Sequence, residues 1–317
     1  MALNNSAAAE PTTSIDRDEI VEGLTRPQKT LPSKYFYDHR GSELFERICR
    51  LEEYYPTDCE MEIMRENISE IADRLGTHID LIEPGSGSSR KTRLLLDQID
   101  RINRYLPVDI SSEFLQRVAN ELKQEYPGLK VIPVTADYTQ PFELPLDDSG
   151  ARRIVYYPGS TIGNFTPDKA REFLKLLAEI IGRDGGVLIG VDLKKERSVL
   201  EAAYNDSEGV TAQFNKNLLL RLRNELKADL DPELFEHRAI YNSDEGRIEM
   251  HLVSREQQTI RIGDDRFSLE KGETIHTENS YKYSPEQFEK LVSGLYDIKQ
   301  VWRDSRNYFS VQYLEPV

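Results

Sequence analysis

Two glycines separated by one residue follow a short apolar run that ends in an acid. The run closes at Glu83, the glycines are Gly85 and Gly87, and leucines at helical spacing come after Lys91. Glycine adopts backbone angles that other residues avoid and lets the backbone lie close to a ligand. The stretch therefore predicts a strand, a tight turn and a helix, with room for a ligand over the turn.

Three known glycine-rich motifs form a strand, a turn and a helix of this kind. The sequence departs from two of them at one required position. A P-loop and a dinucleotide fingerprint both require a glycine where Arg90 stands. The form acid-x-Gly-x-Gly-x-small fits instead, with Ser89 as the small residue, and it resembles motif I of class I S-adenosylmethionine (SAM)-dependent methyltransferases. An ordinary strand-to-helix turn remains an alternative for the motif taken alone.

Two further acids close the next apolar runs. Asp109 lies 22 residues after Gly87, near the offset at which nucleotide-binding folds hold ribose hydroxyls, and is the ribose candidate. Its alternative role is that of a helix cap, which Ser111 or Ser112 could also fill. Asp137 ends the third run, where an adenine amino group would be recognised.

The elements that must position these residues alternate between strands and helices. Apolar runs at 153–157 and 186–193 continue the series, and helical patterns at 112–125 and 166–181 separate the runs. Such alternation predicts an α/β fold with a parallel sheet and ligand sites at the carboxyl ends of its strands. The last two strands, joined by the short polar link 304–306, predict an antiparallel closing hairpin. That ending is typical of class I methyltransferases, whereas the nicotinamide-binding fold usually adds a parallel strand.

The chain divides into a leader and two interleaved domains. Residues 1–16 are small and polar and are predicted to be a disordered leader. Residues 17–59 and 195–281 are assigned to a discontinuous substrate-binding α+β domain. Residues 60–194 and 282–317 are assigned to the SAM-binding, Rossmann-like domain.

Local signals give expectations for the substrate-binding part. Ser42 is expected to cap a helix, and Tyr55-Pro56 to separate that helix from another at 58–75. The segments after Asp229 alternate as antiparallel strands with one face in water.

Composition restricts the function classes. The 317 residues are 38% hydrophobic and 31% charged, and the formal charge of -15 disfavours a nucleic-acid partner. No apolar run reaches membrane-spanning length, and no signal peptide precedes the first helix.

Two cysteines without a secretory signal suggest reduced thiols in the cytoplasm. The five histidines lack metal-ligand spacing, so no metal is expected. A monomer is the default, because no heptad pattern is present.

Motifs along nearly the whole chain after the leader resemble the L-histidine Nα-methyltransferases, which make hercynine in ergothioneine biosynthesis. The resembling stretches are Pro32-Ser-Lys-Tyr-Phe-Tyr-Asp with Gly41-Ser-x-Leu-Phe, Glu53-Tyr-Tyr-Pro-Thr, Gly85-Ser-Gly-x-Ser-x-Lys-Thr-Arg, Pro158-Gly-Ser-Thr-Ile-Gly-Asn-Phe, Ala203-Tyr-Asn-Asp and Glu278-Asn-Ser-Tyr-Lys-Tyr. A departure is Pro84, where the family is expected to carry leucine or a similar residue. The combination is far more specific than one glycine-rich turn.

The resemblance implies a role for each site residue. Tyr54, Asn164 and Tyr204 would hold the carboxylate and amino group of histidine, with Gly159 contributing backbone and Tyr37 near the amine. Glu278 and Ser280 would hold the imidazole, with Met250 packed against the ring. SAM would be bound by the residues Gly85, Gly87, Lys91, Asp109, Asp137 and Tyr138.

The implied reaction suits these residue types. Methyl transfer from a sulfonium to an amine is a direct displacement that needs positioned reactants and an unprotonated amine, without a metal. Glu278 and Ser280 lie two apart on a strand, so both face one ring. For the amine proton, Tyr37 is one candidate acceptor and prior loss to solvent is another. Alternatives are an N-methyltransferase of a tryptophan derivative and, from other classes, a nicotinamide oxidoreductase or a non-catalytic binding protein.

Overall fold

The apolar runs that end in acids lie side by side in a seven-stranded sheet. The computed structural model describes residues 15–87, 91–99, 102–145 and 149–317. Its strands are β1 Lys29–Thr30, β2 Ile79–Pro84, β3 Ile102–Asp109, β4 Val134–Thr135, β5 Arg152–Tyr157, β6 Gly186–Asp192, β7 Phe235–Asn242, β8 Arg247–Ser254, β9 Gln258–Ile262, β10 Asp265–Leu269, β11 Thr274–Tyr281, β12 Tyr296–Arg303 and β13 Phe309–Pro316.

The large sheet has the order β12-β13-β6-β5-β2-β3-β4. Strands β2 to β6 run parallel, and β13 is antiparallel to both β6 and β12. The predicted α/β fold with a parallel sheet and an antiparallel closing hairpin is therefore confirmed. The third run of the sequence forms a strand over only two residues, β4, which lies at the edge of the sheet and pairs with β3.

Both faces of the large sheet are covered. The described helices are α1 Arg17–Thr25, α2 His39–Ile48, α3 Tyr55–Leu75, α4 Thr92–Gln98, α5 Ser112–Glu125, α6 Pro167–Ile181, α7 Arg197–Ala202, α8 Val210–Glu225 and α9 Pro285–Val292. Neighbouring residues of one strand enter opposite cores, as Leu81 and Ile82 of β2 do. Because helices cover both faces of the sheet, side chains on both sides of the central strands are buried, and the sequences of these strands are continuous apolar runs.

A second sheet has the order β1-β11-β8-β7 and packs against α8. Its three long strands are antiparallel, as the alternating pattern predicts. The expectation of one wet face is wrong for β8, where Ile248 to Leu252 are all buried. Sequence inspection also missed β10, which pairs with β9, and β1, which joins β11 in parallel.

Two expected helix boundaries are wrong. Asp38, not Ser42, caps α2, since its carboxylate accepts the backbone N–H of Gly41 at 2.7 Å. Tyr55-Pro56 begins α3 rather than preceding it, because proline fits the first turn of a helix, where no N–H is needed. Helix α3 consequently runs through the predicted domain boundary at 59/60.

None of the helices in the described ranges combines the length and the apolar character needed to cross a membrane. Residues 1–14 lie outside the described part of the chain, as do Ser89 and Arg90 of the glycine-rich turn.

Candidate functional site

One cavity of about 920 Å³ lies at the carboxyl ends of the parallel strands and extends to the second sheet. Every site residue predicted from the sequence lines it. These residues are Tyr37, Tyr54, Gly85, Gly87, Lys91, Asp109, Asp137, Tyr138, Gly159, Asn164, Tyr204, Met250, Glu278 and Ser280. The fold thus brings together residues that are more than 240 positions apart in the chain.

The glycine-rich turn needs its glycines for both conformation and space. Gly85 and Gly87 have φ angles of +70° and +47°, in the region that side chains disfavour. A Cβ on Gly85 would lie 3.1 Å from the hydroxyl oxygen of Tyr138. Tyr138 therefore lies against the turn, and a side chain at position 85 would clash with it.

A buried carboxylate, Glu60, holds the loop opposite this turn. It accepts the backbone N–H of Gly159 at 2.9 Å and pairs with the Lys91 ammonium. Sequence reasoning missed Glu60, because an acid inside a helical pattern is usually a surface residue. Lys91 is thereby fixed at the edge of the cavity beside Gly159.

Glu83, the acid of the glycine-rich motif, binds its own scaffold. Its carboxylate accepts hydrogen bonds from the hydroxyls of Thr92, at 2.6 Å, and Tyr105. Burial raises the pKa of Glu83 to about 7. The residue ties strand β2 to helix α4 and so fixes the turn between them.

Asp109 and Asp137 each anchor the turn that follows them. Asp109 accepts the N–H of Ser111 at 2.9 Å, and Asp137 accepts the N–H of Thr139 at 3.0 Å. Ser111 is the N-cap of α5 but makes no side-chain cap bond, so the capping role falls partly to Asp109. Burial raises the pKa of Asp109, and both acids line the cavity, where a ribose or adenine would lie.

Aromatic side chains form the wall nearest the second sheet. The ring of Tyr37 meets Phe45 edge to face, with centroids 5.6 Å apart, and Tyr54 meets Tyr204 in the same way at 6.0 Å. Burial raises the pKa of Tyr37 well above 10. Tyr37 is therefore a neutral phenol at physiological pH, and it can accept a hydrogen bond from an amine without first losing its own proton.

Strands β8 and β11 supply the far end of the cavity. Glu278 and Met250 are register partners, and Ser280 follows two residues later. The two polar residues reach the same cavity, as their spacing predicts. Burial raises the pKa of Glu278 to about 7, opposed by the positive charge of Lys282.

A buried polar cluster connects the two sheets behind Ser280. The Lys282 ammonium lies 2.6 Å from Asp192 Oδ2, 3.0 Å from the Tyr204 hydroxyl and 2.9 Å from Ser280 Oγ. Lys195 binds the other oxygen of Asp192. Sequence reasoning missed this cluster, although Asp192 closes its strand in the same manner as Asp109.

Three potential metal ligands converge where sequence spacing gave no sign of them. Glu249, His251 and His276 come from two strands, and their ligand atoms lie within 4.8 Å of one another. Arg247 donates to the Glu249 carboxylate at 2.8 Å, which already balances its charge. Burial lowers the pKa of His251 to about 4, so its ring is neutral. The three side chains are therefore explained by their contacts with one another and with Arg247 inside the second sheet, without a metal ion.

The family model and two bacterial relatives name histidine-specific methyltransferases. Residues 16–316 match the model of the family described as "Histidine-specific methyltransferase, SAM-dependent". The chain is 40% identical over 303 residues to the histidine N-alpha-methyltransferase of Mycobacterium tuberculosis, covering 93% of each. It is 41% identical over 291 residues to the protein of the same name from Mycolicibacterium smegmatis, covering 90% of each. Ergothioneine biosynthesis protein 1 of Neurospora crassa is 30% identical over 303 residues, which span 91% of this chain and 34% of that protein.

Proposed function

This chain belongs to the family of SAM-dependent, histidine-specific methyltransferases, and we propose that it converts L-histidine to hercynine. Three methyl groups, from three SAM molecules, are placed on the α-amino group, the first step of ergothioneine biosynthesis. The observation that carries this proposal is the single cavity that joins the glycine-rich turn to Glu278 and Ser280.

The residues around the turn fit SAM. Gly85 and Gly87 add no side chain to the turn, and the carboxylates of Asp109 and Asp137 can accept from ribose hydroxyls and the adenine amino group. The Lys91 ammonium is paired with Glu60 and has further protons to donate to a carboxylate. SAM supplies an activated methyl group, so the chain needs to provide binding and orientation rather than a nucleophile. Tyr138 lies against Gly85 and borders the same part of the cavity.

The opposite end of the cavity fits histidine. Glu278 accepts a ring N–H, Ser280 bonds the other ring nitrogen, and Met250 packs on the ring face. Tyr54, Asn164, Tyr204 and the backbone of Gly159 surround the α-carbon substituents. Because burial keeps Tyr37 protonated, we assign it to hold the neutral amine by accepting its N–H, and the amine proton leaves to solvent before each methyl transfer.

A tryptophan derivative fits the same site less well. An indole offers one N–H and would leave either Ser280 or Glu278 without a partner in a buried environment, which costs about 1–3 kcal/mol for each unpaired group. The histidine-specific relatives support the same choice. A nicotinamide oxidoreductase is disfavoured by the closing hairpin.

Residues 17–59 with 195–281 are proposed to form the substrate lobe, and residues 60–194 with 282–317 the SAM lobe. Strand β1 of the first segment pairs with β11 of the second, which supports a discontinuous lobe. We propose that the enzyme works as a monomer in the cytoplasm, with small-molecule ligands and no nucleic-acid partner. Both cysteines are free thiols, in keeping with a reducing compartment.

The test of this function is product analysis. Purified protein is incubated with SAM and either L-histidine or L-tryptophan, and mass spectrometry follows the mono-, di- and trimethylated amino acids. We expect trimethylated histidine and little tryptophan product. Absence of methylated histidine, or faster methylation of tryptophan, would overturn the assignment. Calorimetry with S-adenosylhomocysteine and histidine, added in both orders, measures whether the two ligands bind cooperatively.

A further inference from the structure

The Lys282 ammonium is buried at the point where the two sheets meet. The residue is 2% exposed and follows β11 directly, two positions after Ser280. Its three neighbours are the Asp192 carboxylate, the Tyr204 hydroxyl and the Ser280 hydroxyl, all within 3.0 Å. An ammonium has three protons to donate and no lone pair, so these three acceptors use its full capacity.

Lys282 therefore determines how the two hydroxyl groups can bond. Each hydroxyl has two lone pairs and one proton, and Lys282 occupies one lone pair on each. The two hydroxyl oxygens are also 2.9 Å apart, so one must donate to the other. A phenol is the more acidic and hence the better donor, which makes Tyr204 the donor and Ser280 the acceptor.

This order leaves Ser280 with a proton and no free lone pair. Its acceptor sites are filled by Lys282 and Tyr204, and its side chain lines the cavity. Towards a ligand, Ser280 is consequently a donor only, while Glu278 beside it is an acceptor when ionised. Tyr204 retains one lone pair and can accept from the amine of an amino acid.

We propose that Lys282 is a positioning residue that sets specificity for a neutral imidazole by holding Ser280 as a donor. A ring that satisfies both Glu278 and Ser280 must offer one N–H and one acceptor nitrogen. Neutral imidazole offers both, whereas pyrrole and indole have an N–H and no acceptor nitrogen. The proposal rests on the proposed function and explains how the ring is discriminated once histidine is the substrate.

Lys195 provides a matched control, because it also places a buried ammonium on Asp192. Its other contacts are the Tyr55 hydroxyl at 2.8 Å and a backbone carbonyl, not Ser280 or Tyr204. Removing either lysine leaves Asp192 with one cation. If the effect of a substitution came only from the lost positive charge beside Asp192, replacing either lysine would have the same effect. An effect that acts through Ser280 is expected only when Lys282 is replaced, because Lys195 does not contact Ser280.

The experiment measures ring discrimination by calorimetry in the presence of S-adenosylhomocysteine. The ratio of the Kd for 3-(pyrrol-2-yl)-L-alanine to the Kd for L-histidine is determined for wild type, Lys282→Met, Lys195→Met and Ser280→Ala. We expect Lys282→Met and Ser280→Ala to lower this ratio by about tenfold or more, the effect of one lost hydrogen bond to a buried group. Lys195→Met is expected to keep the wild-type ratio.

A wild-type ratio in Lys282→Met, or an equal decrease in Lys195→Met, would overturn the proposal. If Lys282→Met does not unfold cooperatively, Lys282→Leu decides, because it also lacks an N–H donor to Ser280. A ratio near that of Ser280→Ala supports the proposal, and a ratio equal to that of wild type contradicts it. Failure of the wild-type enzyme to methylate histidine would instead reject the proposed function.

Discussion

The carboxylate of Glu278 is expected to destabilise the protein when no substrate is bound. Burial raises its pKa from 4.5 to about 7, and no side chain among the described residues donates a hydrogen bond to it. The difference between folded and unfolded pKa values corresponds to about 3 kcal/mol, at 1.36 kcal/mol for each pKa unit. Glu278→Gln removes this ionisation and is therefore the informative change.

The sign of the pH dependence follows from proton binding. Between pH 4.5 and about 7 the folded state holds a proton on Glu278 that the unfolded chain has released, so the free energy of unfolding falls as pH rises. The full penalty is present above pH 7 and absent below pH 4.5. Relative to wild type, Glu278→Gln should therefore gain up to about 3 kcal/mol between pH 5 and pH 8.

Thermal unfolding of the two proteins over that pH range measures the difference. For a chain of this length, about 3 kcal/mol corresponds to roughly 4 °C in Tm. Glu83 also has a pKa raised to about 7, but it titrates in both proteins and cancels in the comparison. Histidine should reduce the pH trend of wild type only, since its ring N–H bonds the carboxylate. Parallel pH profiles for the two free proteins would refute the reasoning.

Four further changes test individual site residues. Tyr37→Phe should lower kcat modestly, because a phenol that stays protonated only holds the amine. Asn164→Ala should weaken histidine binding by tenfold or more, as measured by calorimetry. Small effects of similar size from both substitutions, in calorimetry and kinetics, would contradict both roles. Gly85→Ala should abolish S-adenosylhomocysteine binding, since its φ is +70° and a tyrosine hydroxyl lies 3.1 Å from the added methyl. Gly76→Ala, with a φ of +79° and nothing within 4 Å, controls for strain alone. Asp109→Ala should weaken the cofactor by about tenfold or more while leaving an ordered protein, and unchanged affinity would remove it from the cofactor site.

Sequence patterns predicted the large sheet well because each central strand is covered on both faces. Apolar runs such as that of β6 are continuous, and the acids at their ends mark the edge where ligands bind. The short link before β13 revealed the closing hairpin in the same way. The apolar runs, the acids that end them and the short link are all local features of the sequence, so they can be recognised without knowledge of tertiary contacts.

Contacts between distant segments gave no such signal. Strand β1 has two residues and is defined only by its pairing with β11. Glu60 and Lys282 are charged residues in patterns that ordinarily face water, and their burial depends on partners elsewhere in the chain. The family resemblance supplied residues that line the cavity, and its last motif contains Lys282, but it gave no role to Glu60 or Lys282, which bond other groups of the protein.

The carboxylates that line or lie behind the cavity differ in which groups compensate their negative charge. Glu60 bonds Lys91 and a backbone amide, and Asp192 bonds two lysines, so each charge is compensated by the protein itself. Glu278 has only the more distant field of Lys282. An uncompensated carboxylate gains most when a ligand supplies the missing donor, and it penalises any ring without one. We therefore expect Glu278 to favour an N–H-bearing ring and, in the absence of a ligand, to lower the free energy of unfolding.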